Sequence, residues 1–119
     1  MNESKELELI KKFGIDVAKL RSEQNKLRKS VILKDSHDFS QVEFIGGFSN
    51  LVLGKEVLSV CVVLNRQGEV IDQKYFLDKA SFPYIPEFRA YRELPMMLAC
   101  LELLKQRPEV VFIEGVEFN

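Results

Sequence analysis

The stretch SFPYIPEFRAYRE, residues 81–93, holds the side chains of this 119-residue sequence best suited to chemistry. Proline fixes its own φ and restricts the residue before it, so Pro83 and Pro86 confine Tyr84 and Ile85 to one extended geometry. A stiff aromatic-plus-aliphatic corner has two uses. It packs a ring under a sheet, or it presents a preorganised wedge to a ligand at little ordering cost. Glu93 closes the run four residues after Arg89, the spacing of a helical ion pair, and on residue type alone it reads as a surface partner of that arginine.

Other polar groups carry weaker signals. KLRSEQNKLRKS gathers Lys19, Arg21, Lys26, Arg28 and Lys29 against one acid, Glu23. A solvated helix face accounts for this cluster more economically than phosphate binding does. His37, the one histidine, stands among Asp, Ser and Gln and reads as a loop residue. Cys61 and Cys100 lie inside apolar runs, as buried reduced thiols do, which points to a reducing, cytoplasmic setting.

The elements that must position these groups follow from periodicity. Leu7, Ile10, Val17, Leu20 and Leu27 recur at helical spacing and predict one helix over residues 1–30, weakened at Gly14. Three strand signals follow: QVEFIGGFSN, then VLSVCVVLN with both faces buried, then EVIDQKYFLD, half exposed. NRQGE between the last two is a hairpin loop, with Gly68 free to take positive φ. Beyond SFPYIP a helix is expected with Leu94, Met97, Leu98, Leu101 and Leu104 on one face, stopped at QRPE. VVFIEG reads as a short buried strand. A three-stranded antiparallel meander, a crossover helix and a fourth strand make a mixed α/β sheet over residues 42–119, within a single domain of residues 1–119.

Composition excludes several classes. With 46% apolar and 29% charged residues the chain is globular rather than disordered. Its longest apolar runs are too short to span a bilayer, and MNESKELELIKKF lacks the apolar core of a signal peptide. A net charge of −1 offers no bulk attraction for nucleic acid, so such binding would need a local patch.

FPYIP followed by FRAYRE, an apolar helix and VVFIEG resembles endonuclease V, as do FIGGFSN, VLSVCVVL and VILKD upstream. The resemblance runs from about residue 31 onward. It implies a ribonuclease H-like fold and metal-dependent cleavage of inosine-containing DNA or RNA, with Mg²⁺ or Mn²⁺ as cofactor. It also implies that Pro83, Tyr84, Ile85 and Pro86 form a wedge beside the deaminated base, with Tyr84 in the position of the functional tyrosine. Glu93 matches the metal-binding glutamate of the family. The two remaining acids fall at Ser49 and Glu114, where the family has aspartates.

These last two positions depart from the pattern with unequal weight. Glu114 keeps its charge and moves the oxygen by roughly 1 Å. Ser49 has none, and a hydroxyl cannot bridge two dications roughly 4 Å apart. The expectation is therefore a single ion held by Glu93 and Glu114, with cleavage weak or lost. The alternative is a catalytically silent nucleic-acid-binding or oligomeric interaction domain. After FIEG the family carries a small or polar residue and then glycine, where this sequence has Val116 and Glu117. Relative to the family the fold is truncated after the fourth strand, which leaves a sheet edge or an apolar face that self-association would cover.

Overall fold

The computed structural model describes residues 3–35 and 38–114, so His37, Val116 and Glu117 lie outside the described residues. Where helical spacing predicts one N-terminal helix there are two, α1 (Glu3–Phe13) and α2 (Val17–Lys29). The division has a local cause. Gly14 adopts φ +62°, and the Ile15 N–H reaches back to the Ile10 carbonyl at 3.0 Å, a left-handed helix stop. Asp16 then caps the next helix by accepting from the Lys19 N–H at 3.1 Å. Neither helix buries a residue.

The strands are β1 (Ile45–Leu53), β2 (Glu56–Leu64), β3 (Val70–Lys79) and β4 (Val110–Ile113). They form one sheet of order β3-β2-β1-β4, antiparallel through β1, β2 and β3, with β4 parallel to β1. The mixed α/β meander with a helical crossover is thus the observed architecture. The NRQGE loop closes by a bond from the Asn65 N–H to the Glu69 carbonyl, with Gly68 at φ +80°. Contrary to its expected burial, β4 is half-buried at Val110 and Val111 and exposed at Phe112 and Ile113.

Helix α3 (Arg89–Leu103) covers one face of this sheet. Its Met97 and Cys100, with Leu104 just beyond, pack on Phe48, Cys61 and Val63 to make the core. The buried stripe of the helix is Glu93, Met96, Met97 and Cys100, joined by Arg92; Leu94 and Leu98, expected inside, are exposed. The apolar pattern misplaced the helix by about one residue because its sheet-facing side begins with two charged residues. The far end of α3 is tied down by Asp72, which accepts from the Lys105 and Gln106 N–H groups at 2.6 and 3.1 Å.

Side chains alternate across a sheet, so the register defines its second face. Ser49 pairs with Val60 and Val60 with Tyr75; Leu51 pairs with Leu58 and Leu58 with Leu77. These residues point away from α3, as does Phe112, paired with Gly47. Strand β2 is therefore apolar on both sides but fully buried only towards the helix.

Candidate functional site

The proline-braced corner is built by anchoring. Pro83 is buried, Ile85 and Phe88 keep only 2% and 1% of their surface exposed, and between them Tyr84 stays 44% exposed. The four wedge residues thus separate: Pro83 and Ile85 are internal anchors, while Tyr84 and Pro86 face solvent. An aliphatic residue placed between two prolines and just before a buried aromatic is drawn into the core, and Ile85 is no part of an exposed wedge. Tyr91 secures the corner from behind. Its ring lies 5.7 Å from that of Phe82 and 6.1 Å, edge-on, from that of Phe88, and its hydroxyl donates to Glu23 of α2 at 2.8 Å. Helix α2 is further held by Arg21, ion-paired to Glu87 at 2.7 Å, and by Gln24, which donates to the Glu87 carbonyl. Arg21 is thereby withdrawn from the basic cluster, and this pairing holds its guanidinium above its ordinary pKa.

Glu93 points inward, not to the surface, and is 5% exposed. Arg89 does pair with it, through two hydrogen bonds: Nε to Oε2, and Nη2 to Oε1 at 3.2 Å. Those bonds come first in holding Arg89 above its ordinary pKa; partial burial opposes them, and the charges of Glu93, Tyr84 and Glu114 add to them. Arg89 therefore lies within electrostatic reach of the corner tyrosine, the helix acid and the acid after β4. Arg92, one turn along, has its guanidinium 5.8 Å from the Tyr84 ring centre and is 8% exposed, with an Nε that meets no protein acceptor. On the facing strands the cross-strand neighbours Asn50 and Ser59 also keep buried oxygens without partners. Arg92 was not singled out from sequence; its place in the RAYRE run, three residues after Arg89, was the available signal.

Ser49 stands apart from this group. Phe48, its neighbour, points into the core under α3, so Ser49 lies on the opposite face of β1 and is exposed. Glu114 follows the last β1–β4 pair, Phe48 with Ile113, and is exposed. A divalent cation needs several oxygen donors turned to one point. Among the described residues no three His, Cys, Asp or Glu side chains gather in that way. Glu93 already spends both oxygens on a guanidinium, and Ser49 is uncharged. As they stand, these residues do not fit a Mg²⁺ ion.

The family model for endonuclease V matches residues 25–117. This chain belongs to the endonuclease V family. Its fold is similar to the crystal structure of endonuclease V from Streptomyces avermitilis, with a TM-score of 0.74 and 27% identity, over 84% of this chain and 45% of that one. It is also similar to endonuclease V from Bacillus subtilis, at a TM-score of 0.68 and 23% identity, over 87% and 46% of the two chains. The expected ribonuclease H-like fold is the one observed. The chain spans a little under half the length of each of these endonuclease V structures. Among the described residues, no helix is long and apolar enough to cross a membrane.

Proposed function

We propose that this endonuclease V-type domain binds inosine-containing DNA or RNA through Tyr84 and, acting alone, cleaves it weakly or not at all. The observation that carries this reading is the bidentate capture of buried Glu93 by Arg89 directly behind an exposed, proline-anchored tyrosine. An exposed ring on a rigid base is suited to stacking on an unpaired or extruded nucleobase. Arg92 behind it, 5.8 Å from the ring centre, supplies local positive charge that the whole chain, at −1, lacks, whereas the charge of Arg89 is balanced by Glu93. A single Mg²⁺ or Mn²⁺ on Glu93 and Glu114 would require Arg89 to release its carboxylate first, and Ser49 brings no anionic charge for a second ion. The buried, reduced Cys61 and Cys100 support a cytoplasmic setting.

The test is binding and cleavage by the 119-residue chain. Fluorescence anisotropy with inosine-containing single and double strands at low salt should show binding that weakens as salt rises. Tyr84→Ala should weaken it roughly tenfold or more, the value of one lost stacking contact. Gel assays with Mg²⁺ and with Mn²⁺ should show little or no nicking. Absence of binding at low salt overturns the nucleic-acid reading, and efficient metal-dependent nicking overturns the silent one.

A further inference from the structure

Helix α2 buries no residue, yet the contacts of Arg21, Glu23 and Gln24 fix it to the tyrosine corner. A helix polar nearly all round gains little from packing, so its docking calls for another use. What α2 presents is charge. Five cations stand against one acid along Val17–Lys29, a net +4 in a chain of net −1, so the rest of the molecule stands at −5. Arg21 and Glu23 are consumed in the docking. Lys19, Lys26 and Lys29 recur at i, i+7 and i+10, which at 3.6 residues per turn sets them in one row about 140–160° round the helix from Gln24. All three are exposed, and none has an acid partner among the described residues.

We propose that this lysine row binds the phosphate backbone of the nucleic acid whose base Tyr84 engages, a few nucleotides from that base. The proposal rests on the nucleic-acid reading of the corner and adds to it a second contact surface, the local positive patch that a chain of net −1 needs.

Dimensions and chemistry both fit. The row is about 15 Å long, ten residues at about 1.5 Å each, and lies about 10 Å, one helix diameter, from the docked side of α2. A strand rising about 3.4 Å per nucleotide passes such a row with roughly four phosphates. Glu87, which holds α2, is three residues from Tyr84, so ring and row share one support. The helix dipole does not account for the row. It favours Lys26 and Lys29 in the last turn, but Lys19 stands in the first turn, where a cation is disfavoured. Nor does the row suit a lipid surface, which needs an apolar helix face beside the cations. Ser22 and Asn25 flank the lysines, while Val17 and Leu20 are half-buried on the docked side.

The test is fluorescence anisotropy of the 119-residue chain with an inosine-containing single strand, and with the same strand carrying guanosine instead, from about 50 to 200 mM salt. In the triple variant Lys19→Ala, Lys26→Ala, Lys29→Ala the slope of log K against log salt should become shallower by about 2, at about 0.7 per lost phosphate contact, so its loss of affinity over this range is roughly twentyfold smaller. The change should be equal on both strands, because phosphates carry no sequence information. Tyr84→Ala should weaken binding without changing the slope. Removing three exposed lysines elsewhere, by Lys55→Ala, Lys79→Ala and Lys105→Ala, should leave the slope unchanged, which separates a local row from net charge. Alanine favours a helix more than lysine does, so α2 persists in the triple variant, and circular dichroism checks it.

A native slope in the α2 variant overturns the proposal even where Tyr84→Ala weakens binding. A shallower slope with no effect of Tyr84→Ala supports the row and removes the stacking ring instead. An equal change in the control variant, or binding to phosphatidylserine vesicles but to neither strand, overturns the row. No binding to either strand at about 50 mM salt overturns both readings.

Discussion

Removing the Arg89 side chain tests the core of the site. Arg89→Ala leaves the Glu93 carboxylate, 6% exposed at its side chain, without its two charge-assisted hydrogen bonds. Breaking a fully buried pair this way costs about 3–5 kcal/mol, because the remaining charge is stranded. Arg89 itself is 33% exposed, so water can enter its place, and the loss falls to about 2–3 kcal/mol. For a domain of this size that lowers Tm by roughly 8–12 °C. Glu93→Gln, which removes the charge while keeping the shape, should cost only about 1 kcal/mol, and the double variant should be more stable than Arg89→Ala alone. Urea denaturation of the four proteins at neutral pH reads the cycle. A loss below about 0.5 kcal/mol for Arg89→Ala, within the range of an ordinary surface substitution, would refute the picture of a buried acid neutralised by one guanidinium.

Three further outcomes follow from other contacts. A methyl group at Gly46 would lie 2.7 Å from Cγ of Pro108, so Gly46→Ala should destabilise by about 1–3 kcal/mol in urea titration. Asp72 is held below the usual carboxylate range, foremost by the Gln106 N–H and against the cost of its burial, with the Lys105 and Gln73 N–H groups and Lys74 adding to the effect. Its folded pKa being the lower one, its contribution is complete above the ordinary aspartate pKa and disappears as pH falls through the folded value; Asp72→Asn should therefore flatten the acid limb of a stability–pH curve. Burial pushes the Cys61 thiol up to about 11, with the charges of Cys100 and Asp72 adding to it, and Cys100 is also raised by burial. Neither thiol should react with iodoacetamide in the folded protein at pH 8, and both should react in denaturant; alkylation of the native chain would contradict the packing.

Much of the fold was legible because its signals are local. The three strand runs, the NRQGE turn, the crossover helix and the final strand stand in the order their periodicity predicts. The division of the N-terminal helix was written in Gly14 and Asp16, a left-handed stop followed by a cap, but the apolar spacing continues across both residues and conceals it. Burial was harder to read. The alternation in β2 is hidden because its outward residues Leu58, Val60, Val62 and Leu64 are as apolar as its inward ones.

The candidate site was half legible, and the missing half has one physical origin. Pairing of Arg89 with Glu93 follows from their spacing, yet spacing says nothing about which side of the helix meets the sheet. Leu94 and Leu98 outweigh Arg92 and Glu93 in any hydrophobic count, so a pattern reading turns the helix the wrong way. The observed orientation is sustained because the two charged residues enter together with partners: Arg89 neutralises Glu93, and the Tyr84 ring lies within cation–π distance of Arg92. Without such partners the leucines would win the buried side. The same reasoning separates Ser49 from Glu93, since a strand residue next to the core-facing Phe48 must face away from α3. In this chain Glu93 and Ser49 therefore lie on opposite sides of β1, one neutralised by an arginine and the other uncharged on an apolar face.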